Sequence, residues 1–317
     1  MAEKKYMRSG KGREGNGTKL PYIVLAFFGL GFLSLLLVAL FSLLLEGPLV
    51  GDCVAVVELN GEITTTSASA SMFTEGSYGS YELSQKIKDL NGREEVGAVL
   101  LVVNSPGGSV VASDEVYRAV DSLEKPTVAY FREVAASGGY YVSVPSDYII
   151  SEPNAMTGSI GTVMYLTEFS ELAKMAGIKD VVVKSGEMKD IGNPLRNLTE
   201  EEHDLLYDLV MESFQDFKSK ITDQRGDKLK YPYFNEVLDG RVLSGRMALQ
   251  AGLVDELGSR DDALLKAAEL AGMEYESASD IEVCMVRTSP EPAGLFDMAS
   301  FIDGISASGS TPSLEYR

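Results

Sequence analysis

The sequence has one histidine, two cysteines and no tryptophan among its 317 residues. Two cysteines cannot form a disulfide scaffold or, by themselves, a zinc site, and spacing does not decide whether Cys53 and Cys284 pair. The single histidine, His203, lies in the acidic segment LTEEEHDLLYDLV, where a solvated helical residue is expected. A triad that depends on histidine is therefore not expected, and a nucleophilic serine would need a different base.

The chain is also poor in basic residues. It has 28 Lys and Arg against 47 Asp and Glu, a formal net charge of −19 with a sequence pI near 4.5. Nucleic acid is therefore not an expected partner, because binding to phosphates needs clustered Lys and Arg. Residues 1–20 are the exception, with six basic and two acidic residues. Elsewhere the acidic excess indicates a solvated surface.

One long stretch has no charge at all. LPYIVLAFFGLGFLSLLLVALFSLLL, residues 20–45, is long enough to cross a bilayer, which takes roughly 20 apolar residues. Basic residues precede it, so the N-terminus is expected in the cytoplasm. A cleaved signal peptide would have a shorter apolar region and a small-x-small site, which LLLEGPLVGDC lacks, and Asp52 does not suit a lipoprotein before Cys53. The pattern predicts an uncleaved transmembrane anchor.

After the anchor, short apolar runs alternate with amphipathic segments of helical length. This order predicts an α/β fold with a mostly parallel sheet whose faces are covered by helices. A long helix is predicted from LTEEEHDLL onward, opened by a capping box of Thr199 and Glu202, and two more lie in LSGRMALQAGLVDELGSRDDALLKAAELAG. The predicted strands are CVAVVELNG, VGAVLLVVNS, PTVAYF, DYIISEP and IKDVVVKSG.

Two glycine-containing turns follow successive predicted strands. They are NSPGGS, residues 104–109, and ASGGY, residues 136–140. Such turns expose N–H groups near helix N-termini, and neighbouring parallel strands would place them side by side. Two N–H groups could then converge on one developing oxyanion while Ser137 attacks the carbonyl held there. Gly-Gly turns are common in structural roles, so it is their joint occurrence that favours acyl-transfer chemistry.

A serine nucleophile at position 137 needs a base, and lysine is the remaining candidate. A free lysine has a pKa of about 10.4, which must fall to about 7.4 for half the side chains to be neutral at that pH. Burial of the ammonium group lowers the pKa in this direction. Spacing does not choose among Lys174, Lys179, Lys184 and Lys189.

Four ordered motifs carry a family resemblance. NSPGGS, REVAASGGYY, TGSIGT and KSGEMKDIGNP resemble the short, single-repeat bacterial form of the signal peptide peptidase A family. These are membrane-anchored Ser–Lys peptidases with a fold related to Clp protease and crotonase. The similarity covers roughly residues 50–288, and SGRMALQAGLVDELG is also similar to the crotonase-type segment that follows the core. The fold implied is one of stacked ββα units with a helical second half.

The resemblance also implies roles for residues. Ser137 would be the nucleophile, Lys189 the general base and Ser159 the residue that orients the lysine. The N–H groups of Gly107 and Gly138 would form the oxyanion hole, with no metal or cofactor. The family forms homo-oligomers with sites between protomers. Its substrates are signal peptides and other unfolded peptides, cut after small or apolar residues.

These expectations divide the chain into a cytoplasmic basic arm (1–19), a transmembrane anchor (20–46), an extracytoplasmic catalytic domain (50–288) and a flexible C-terminal tail (289–317). The alternatives are a crotonase-type acyl-CoA enzyme with the same glycine turns, a stomatin-associated membrane protease, and a scaffold without catalysis. The tail contains SASGSTPS, whose small residues would suit the site, so self-processing or self-inhibition is a further hypothesis.

Overall fold

The computed structural model describes Gly29 and residues 31–34, 51–68, 76–290 and 315–316. The chain divides into two units, Met1–Leu49 and Val50–Arg317. The predicted basic arm, nearly all of the predicted anchor and most of the predicted tail lie outside the described residues. Among the helices that are described, none has the length and apolar character needed to cross a membrane.

The second unit is built around a mixed, mostly parallel sheet of eight strands. Its main path has the order β7-β6-β4-β2-β1-β9, while β5 pairs with β4 and β8 pairs with β5. Only the β6–β7 pair is antiparallel in this sheet. The strands described are β1 (Cys53–Asn60), β2 (Val96–Ser105), β3 (Gly108–Ser109), β4 (Thr127–Ala136), β5 (Tyr148–Ser151), β6 (Met156–Gly158), β7 (Val242–Ser244), β8 (Glu256–Leu257), β9 (Val283–Val286) and β10 (Glu315–Tyr316).

Helices cover both faces of this sheet. The α-helices described are α1 (Ser80–Lys88), α2 (Val110–Asp121), α3 (Gly138–Tyr141), α4 (Ser170–Met175), α5 (Glu200–Arg225), α6 (Tyr233–Glu236), α7 (Gly245–Ala251) and α8 (Arg260–Leu270). Single turns of 3₁₀ helix occupy Asp89–Gly92, Glu187–Asp190, Gly226–Lys228 and Ala278–Asp280. As predicted, α5 begins with a capping box between Thr199 and Glu202.

The central strands read as unbroken apolar runs because both of their faces are buried. Along β1, Ala55 and Val57 belong to one core cluster with residues of α1, α2 and α5, while Val54 and Val56 belong to a second cluster with residues of α8. All four side chains are fully buried. The α/β fold and the parallel sheet predicted from the sequence are therefore confirmed.

One predicted strand is wrong. IKDVVVKSG, residues 178–186, forms no strand, although it is rich in β-branched residues. Val181 and Val183 are 83% and 96% exposed, and no described strand lies alongside to exchange hydrogen bonds with them. Strand propensity reflects the fit of a side chain to a paired and half-buried surface, and this segment has no such surface within one chain.

Cys53 and Cys284 form a disulfide, which spacing alone could not decide. Ala55 pairs with Cys284 in the parallel ladder between β1 and the edge strand β9. The bridge therefore joins residues 231 positions apart in the sequence and links the edge strand β9 to the adjacent strand β1.

Candidate active site

Three turns meet at the carboxyl ends of the neighbouring strands β2, β4 and β6. Ser105 at the end of β2 pairs with Ala135 of β4, and Ala136 of β4 pairs with Gly158 of β6. Strand β4 changes partners along its length, since its first half pairs with β5 and its last three residues pair with β6. This change of partner brings the turn after β4 next to the turn after β6. The side-by-side turns predicted from the sequence are confirmed.

Ser137 occupies the turn between β4 and α3 with a positive φ of 54°. Within the described part of the chain, Ser137 and Ser159 are the only non-glycine residues with positive φ. Such backbone conformations cost on the order of 1–3 kcal/mol and persist where the surroundings enforce them, often at functional sites. The Ser137 N–H donates to the Gly158 carbonyl at 2.8 Å, which holds the turn in place. Two of the predicted site residues therefore sit at the strained turns.

The hydroxyl of Ser137 is buried and has no hydrogen-bond partner. Four other described hydroxyl groups are also buried without a partner, so this feature indicates a functional role only together with the positive φ of Ser137. Nearby, α3 is tied to the core by two tyrosines. Tyr140 donates to the Leu253 carbonyl at 2.8 Å, and the Tyr141 hydroxyl lies 3.0 Å from an Asp114 oxygen. The residue that carries the hydroxyl is thus rigidly held.

Small residues around Ser137 allow two backbone turns to touch, which explains why so little side-chain volume surrounds this hydroxyl. A Cβ atom on Gly138 would lie 3.1 Å from the Cα of Gly107 and would collide with the Ser113 Oγ. A Cβ atom on Gly139 would lie 2.6 Å from the Ser105 carbonyl oxygen. Glycine is therefore required for the turn after β4 to pack against the turn after β2.

The two predicted oxyanion-hole donors differ in their present partners. The Gly138 N–H is the first donor of α3, where a helix offers no acceptor of its own. The Gly107 N–H donates to the Ser105 Oγ at 3.1 Å. Ser105 is fully buried and was not predicted as a site residue, although it lies within the NSPGGS motif. The signal in the sequence that could have identified Ser105 is a hydroxyl side chain two positions before the first glycine of the turn.

An apolar cavity of about 410 Å³ opens beside these turns. Its lining includes Gly107, Ala136 and Ser159, so two predicted site residues share it. The remaining lining residues are Glu62, Pro106, Val134, Met156 and Val242. Such a lining suits a small or apolar side chain.

The structure separates the four candidate lysines. Lys174 donates to Glu171 at 2.7 Å and Lys184 donates to Asp190 at 2.9 Å. The hydrogen bond to the carboxylate raises the pKa of each lysine above its ordinary value. A raised pKa is the wrong direction for a neutral base, so Lys179 and Lys189 remain.

Lys189 lies in the 3₁₀ turn Glu187–Asp190 and lines a different cavity from the one beside Ser137. That second cavity is formed by residues 185–189 and Glu201. The Ser137 hydroxyl has no hydrogen-bond partner, so Lys189 does not contact it through a hydrogen bond within this single chain. The structure therefore joins Gly107, Gly138, Ser137 and Ser159 at one place and leaves Lys189 on a separate loop.

Three further features of the described chain bear on the expectations from the sequence. The His203 side chain is 68% exposed on α5, as the sequence predicted. Within the described residues, no group of three or more His, Cys, Asp or Glu is arranged to hold a metal ion. Strand β10 (Glu315–Tyr316) pairs antiparallel with β3 (Gly108–Ser109), directly after the turn that contains Gly107.

Comparisons with known proteins find similarity over the part of the chain that contains Ser137. Residues 119–274, which include Ser137, Ser159 and Lys189, match Peptidase family S49. A protein named as a protease in Methanocaldococcus jannaschii is 42% identical over 189 residues, which is 59% of this chain and 60% of that protein. One named as signal peptide peptidase SppA in Enterococcus faecium is 33% identical over 211 residues, 66% of this chain and 60% of the relative.

A further relative is Protease 4 of Salmonella typhi, 33% identical over 224 residues, 70% of this chain and 35% of that protein. The chain thus spans about 60% of the length of the first two relatives. Among solved structures, the 1510-N membrane-bound stomatin-specific protease aligns with a TM-score of 0.44 and 14% identity over 75% of this chain and 99% of that one. The sequence matches therefore show that residues 119–274 are similar to peptidase family S49.

Proposed function

We propose that this chain is a membrane-anchored serine endopeptidase that uses Ser137 and Lys189 to hydrolyse signal peptides and other unfolded peptides. The observation that carries the proposal is the buried, unpartnered Ser137 hydroxyl on a strained turn that touches the Gly107 turn. The similarity to peptidase family S49 and the relatives named as proteases support it. The finer fold would be the Clp protease/crotonase-like arrangement that the resemblance implies.

In the proposed reaction, neutral Lys189 accepts the proton of Ser137 as its Oγ attacks the scissile carbonyl carbon. The N–H groups of Gly107 and Gly138 stabilise the oxyanion, which requires Gly107 to exchange its bond to Ser105 for one to the substrate. Collapse of the tetrahedral intermediate breaks the C–N bond, and the departing amine takes the proton from Lys189. Water then hydrolyses the acyl-enzyme by the same proton transfers, and Ser159 orients the lysine.

An extended peptide would bind by pairing with the backbone of β3. Strand β10 of this chain already pairs there in an antiparallel register, with Tyr316 opposite Gly108. Addition of a strand to an exposed edge is a common mode of peptide recognition, in which main-chain hydrogen bonds supply affinity and pockets select side chains. The apolar cavity beside Ser137 would then receive the substrate residue before the cleaved bond. The same pairing supports self-inhibition by the tail.

We further propose that Lys189 reaches Ser137 from a neighbouring copy in a homo-oligomer. Support comes from the apolar side chains that one chain leaves exposed between residues 165 and 183. Their exposed fractions are 69% for Tyr165, 63% for Leu172, 85% for Met175 and 83% for Val181. Large apolar side chains exposed in such number on one segment are typical of an interaction site. A second copy covering it would also remove water from the lysine.

The proposed location is a single membrane span with the N-terminus in the cytoplasm and the catalytic domain outside the cytoplasm. The apolar run at 20–45 and the basic residues before it support this orientation. The disulfide between Cys53 and Cys284 also supports it, because such bonds persist in oxidising compartments. In cells, both cysteines should resist a thiol-reactive maleimide until a reductant is added, and prompt labelling would contradict the location.

The test is hydrolysis of a fluorogenic peptide with a small residue before the scissile bond, from about pH 6 to about pH 10. Wild type should gain activity as pH rises. Ser137→Ala and Lys189→Ala should lose it, while the matched control Lys179→Ala should keep it. Activity in Ser137→Ala would refute the nucleophile. An inactive wild type that is folded and oligomeric would favour an acyl-CoA enzyme or a scaffold.

Co-expression of the two inactive variants tests whether the site is shared. If Ser137 and Lys189 act across a protomer boundary, random mixing leaves about a quarter of the sites with both residues intact, so activity should return to about a quarter of wild type. If both residues act within one chain, every site lacks one of them. Mixed oligomers without any activity would refute the shared site.

A further inference from the structure

The loop that carries Lys189 is fastened by one arginine. Arg196 binds two carboxylates, each six residues away in the sequence, Asp190 before it and Glu202 after it. Its Nε and Nη2 lie 3.0 and 2.9 Å from the two Asp190 oxygens, and its Nη1 lies 2.8 Å from a Glu202 oxygen. Nη2 also donates to the Asp190 main-chain carbonyl at 3.1 Å. We call Lys184, Asp190, Arg196 and Glu202 the Arg196 cluster.

Glu202 gives this cluster a rigid support. Its side chain is 3% exposed, and the Thr199 N–H donates to it at 3.0 Å within the capping box that opens α5. That helix runs for 26 residues and is anchored in the core by Phe217 and Ile221. The guanidinium of Arg196 holds the pKa of Glu202 at about 2, so the pair stays ionised across the physiological range. The cluster therefore attaches the loop to a fixed point.

The other side of the cluster holds the turn of Lys189 itself. Asp190 follows Lys189 directly, and its side chain is 12% exposed. Lys184 donates both to Asp190 at 2.9 Å and to the Glu187 carbonyl at 2.8 Å, which brings together the two ends of the 3₁₀ turn Glu187–Asp190. Lys189 takes part in none of these side-chain bonds, so its ammonium group is left available while its backbone is fixed.

We propose that Arg196 is a positioning residue for Lys189: it fixes the backbone turn that carries the lysine and occupies the neighbouring carboxylate of Asp190. This inference rests on the proposed function, because it assigns Arg196 to the same site. The first effect places the lysine nitrogen where the serine proton must go. The second keeps Asp190 from pairing with Lys189 and holding it protonated.

The two effects predict different losses. Without the guanidinium group of Arg196, which binds both Asp190 and Glu202, the turn loses its link to α5. A misplacement of about 1 Å in a catalytic group can cost on the order of 100-fold in rate. Loss of the Arg196 charge would also leave Asp190 with Lys184 as its cationic partner and favour the ammonium form of Lys189, which moves the rise of activity to higher pH. Glu187 and Glu201 line the cavity of Lys189 and stay unchanged, so the part of the shift that Asp190→Asn reverses reports on Asp190.

The experiment uses the full-length chain in detergent. Arg196→Gln should lower kcat by about 10- to 100-fold with KM changed less than about twofold, and its pH profile should move to higher pH. Asp190→Asn added to Arg196→Gln should return the profile toward that of wild type without restoring kcat. Arg196→Lys keeps the positive charge but cannot bind both carboxylates as the planar guanidinium does. Compared with Arg196→Gln, it should therefore restore the pH profile more than kcat. The control Arg93→Gln removes an exposed arginine that binds Glu95 at 2.8 Å, and it should match wild type.

Amide hydrogen exchange supplies a readout that does not depend on activity. In Arg196→Gln, residues 185–191 should exchange faster while β1 and β2 exchange as in wild type. An unchanged kcat and pH profile in Arg196→Gln would overturn the inference, as would a loss that simply follows global unfolding. If wild type is inactive or Lys189→Ala stays active, the proposed function fails with it. If only Arg196→Gln stays active, the inference alone fails.

Discussion

Removal of the bridge between Cys53 and Cys284 should destabilise the folded chain without changing its chemistry. The bridge closes a loop of 231 residues. In the chain-entropy treatment a loop of this length restricts the unfolded chain by about 18 cal/mol/K, or about 5.5 kcal/mol at 25 °C. Measured values are commonly lower, about 2–4 kcal/mol, because the reduced unfolded state keeps some structure. We therefore expect a loss of about 2–5 kcal/mol in the free energy of unfolding.

The assay is urea unfolding of the wild type with and without reductant, beside the variant Cys53→Ala/Cys284→Ala. Reduction should lower the unfolding midpoint of the wild type and leave that of the variant unchanged. Peptide hydrolysis below the transition should not change, since β1 and β2 lie between β9 and the strand that leads to Ser137. Equal midpoints for oxidised and reduced wild type would refute the reasoning, and lost activity without unfolding would contradict the separation of bridge and site.

Three other perturbations have calculable outcomes. Arg225→Met leaves Asp255, whose side chain is 10% exposed, with Lys228 as its remaining cationic partner and should cost about 1–3 kcal/mol in urea unfolding, partly recovered by adding Asp255→Leu. Arg196 lowers the pKa of Glu202 from 4.5 to about 2, so the contribution of Glu202 to stability is full above about pH 4.5 and disappears as pH falls toward 2. In Glu202→Gln the melting temperature should therefore depend less on pH over that interval. An unchanged slope of melting temperature against pH would contradict this. Gly138→Ala places a methyl group against the Gly107 turn and should abolish peptide hydrolysis while costing about 1–3 kcal/mol, so an active variant would refute the close packing.

Local patterns in the sequence were sufficient for most of the framework. Apolar runs of strand length predicted β1 and β2, because both faces of a parallel sheet are buried and the run needs no polar alternation. The capping box at Thr199 located the start of α5, because its hydrogen bonds join residues only three apart. The two glycine turns, and Ser137 within the second of them, could be identified for the same reason, because their special backbone conformation is a local requirement.

Contacts between distant parts of the chain required the tertiary structure. The pairing of Cys53 with Cys284 depends on β9 lying beside β1, and no spacing of two cysteines contains that information. The segment at Val181 has strand propensity but no neighbouring strand, so its irregular form depends on what surrounds it. The ion pairs that remove Lys174 and Lys184 from the candidate bases are likewise visible only once the loops are folded.

The sequence by itself therefore determined the α/β class, the long strands β1, β2 and β4 and the start of α5, and it indicated Ser137 as the candidate nucleophile. Each of these follows from interactions within a few residues of one another. Only the tertiary structure decided which turns touch, which hydroxyl holds the Gly107 N–H and which arginine fastens the loop of Lys189. These features depend on contacts between residues that are far apart in the sequence. Patterns within a few residues therefore do not reveal which partner a side chain takes.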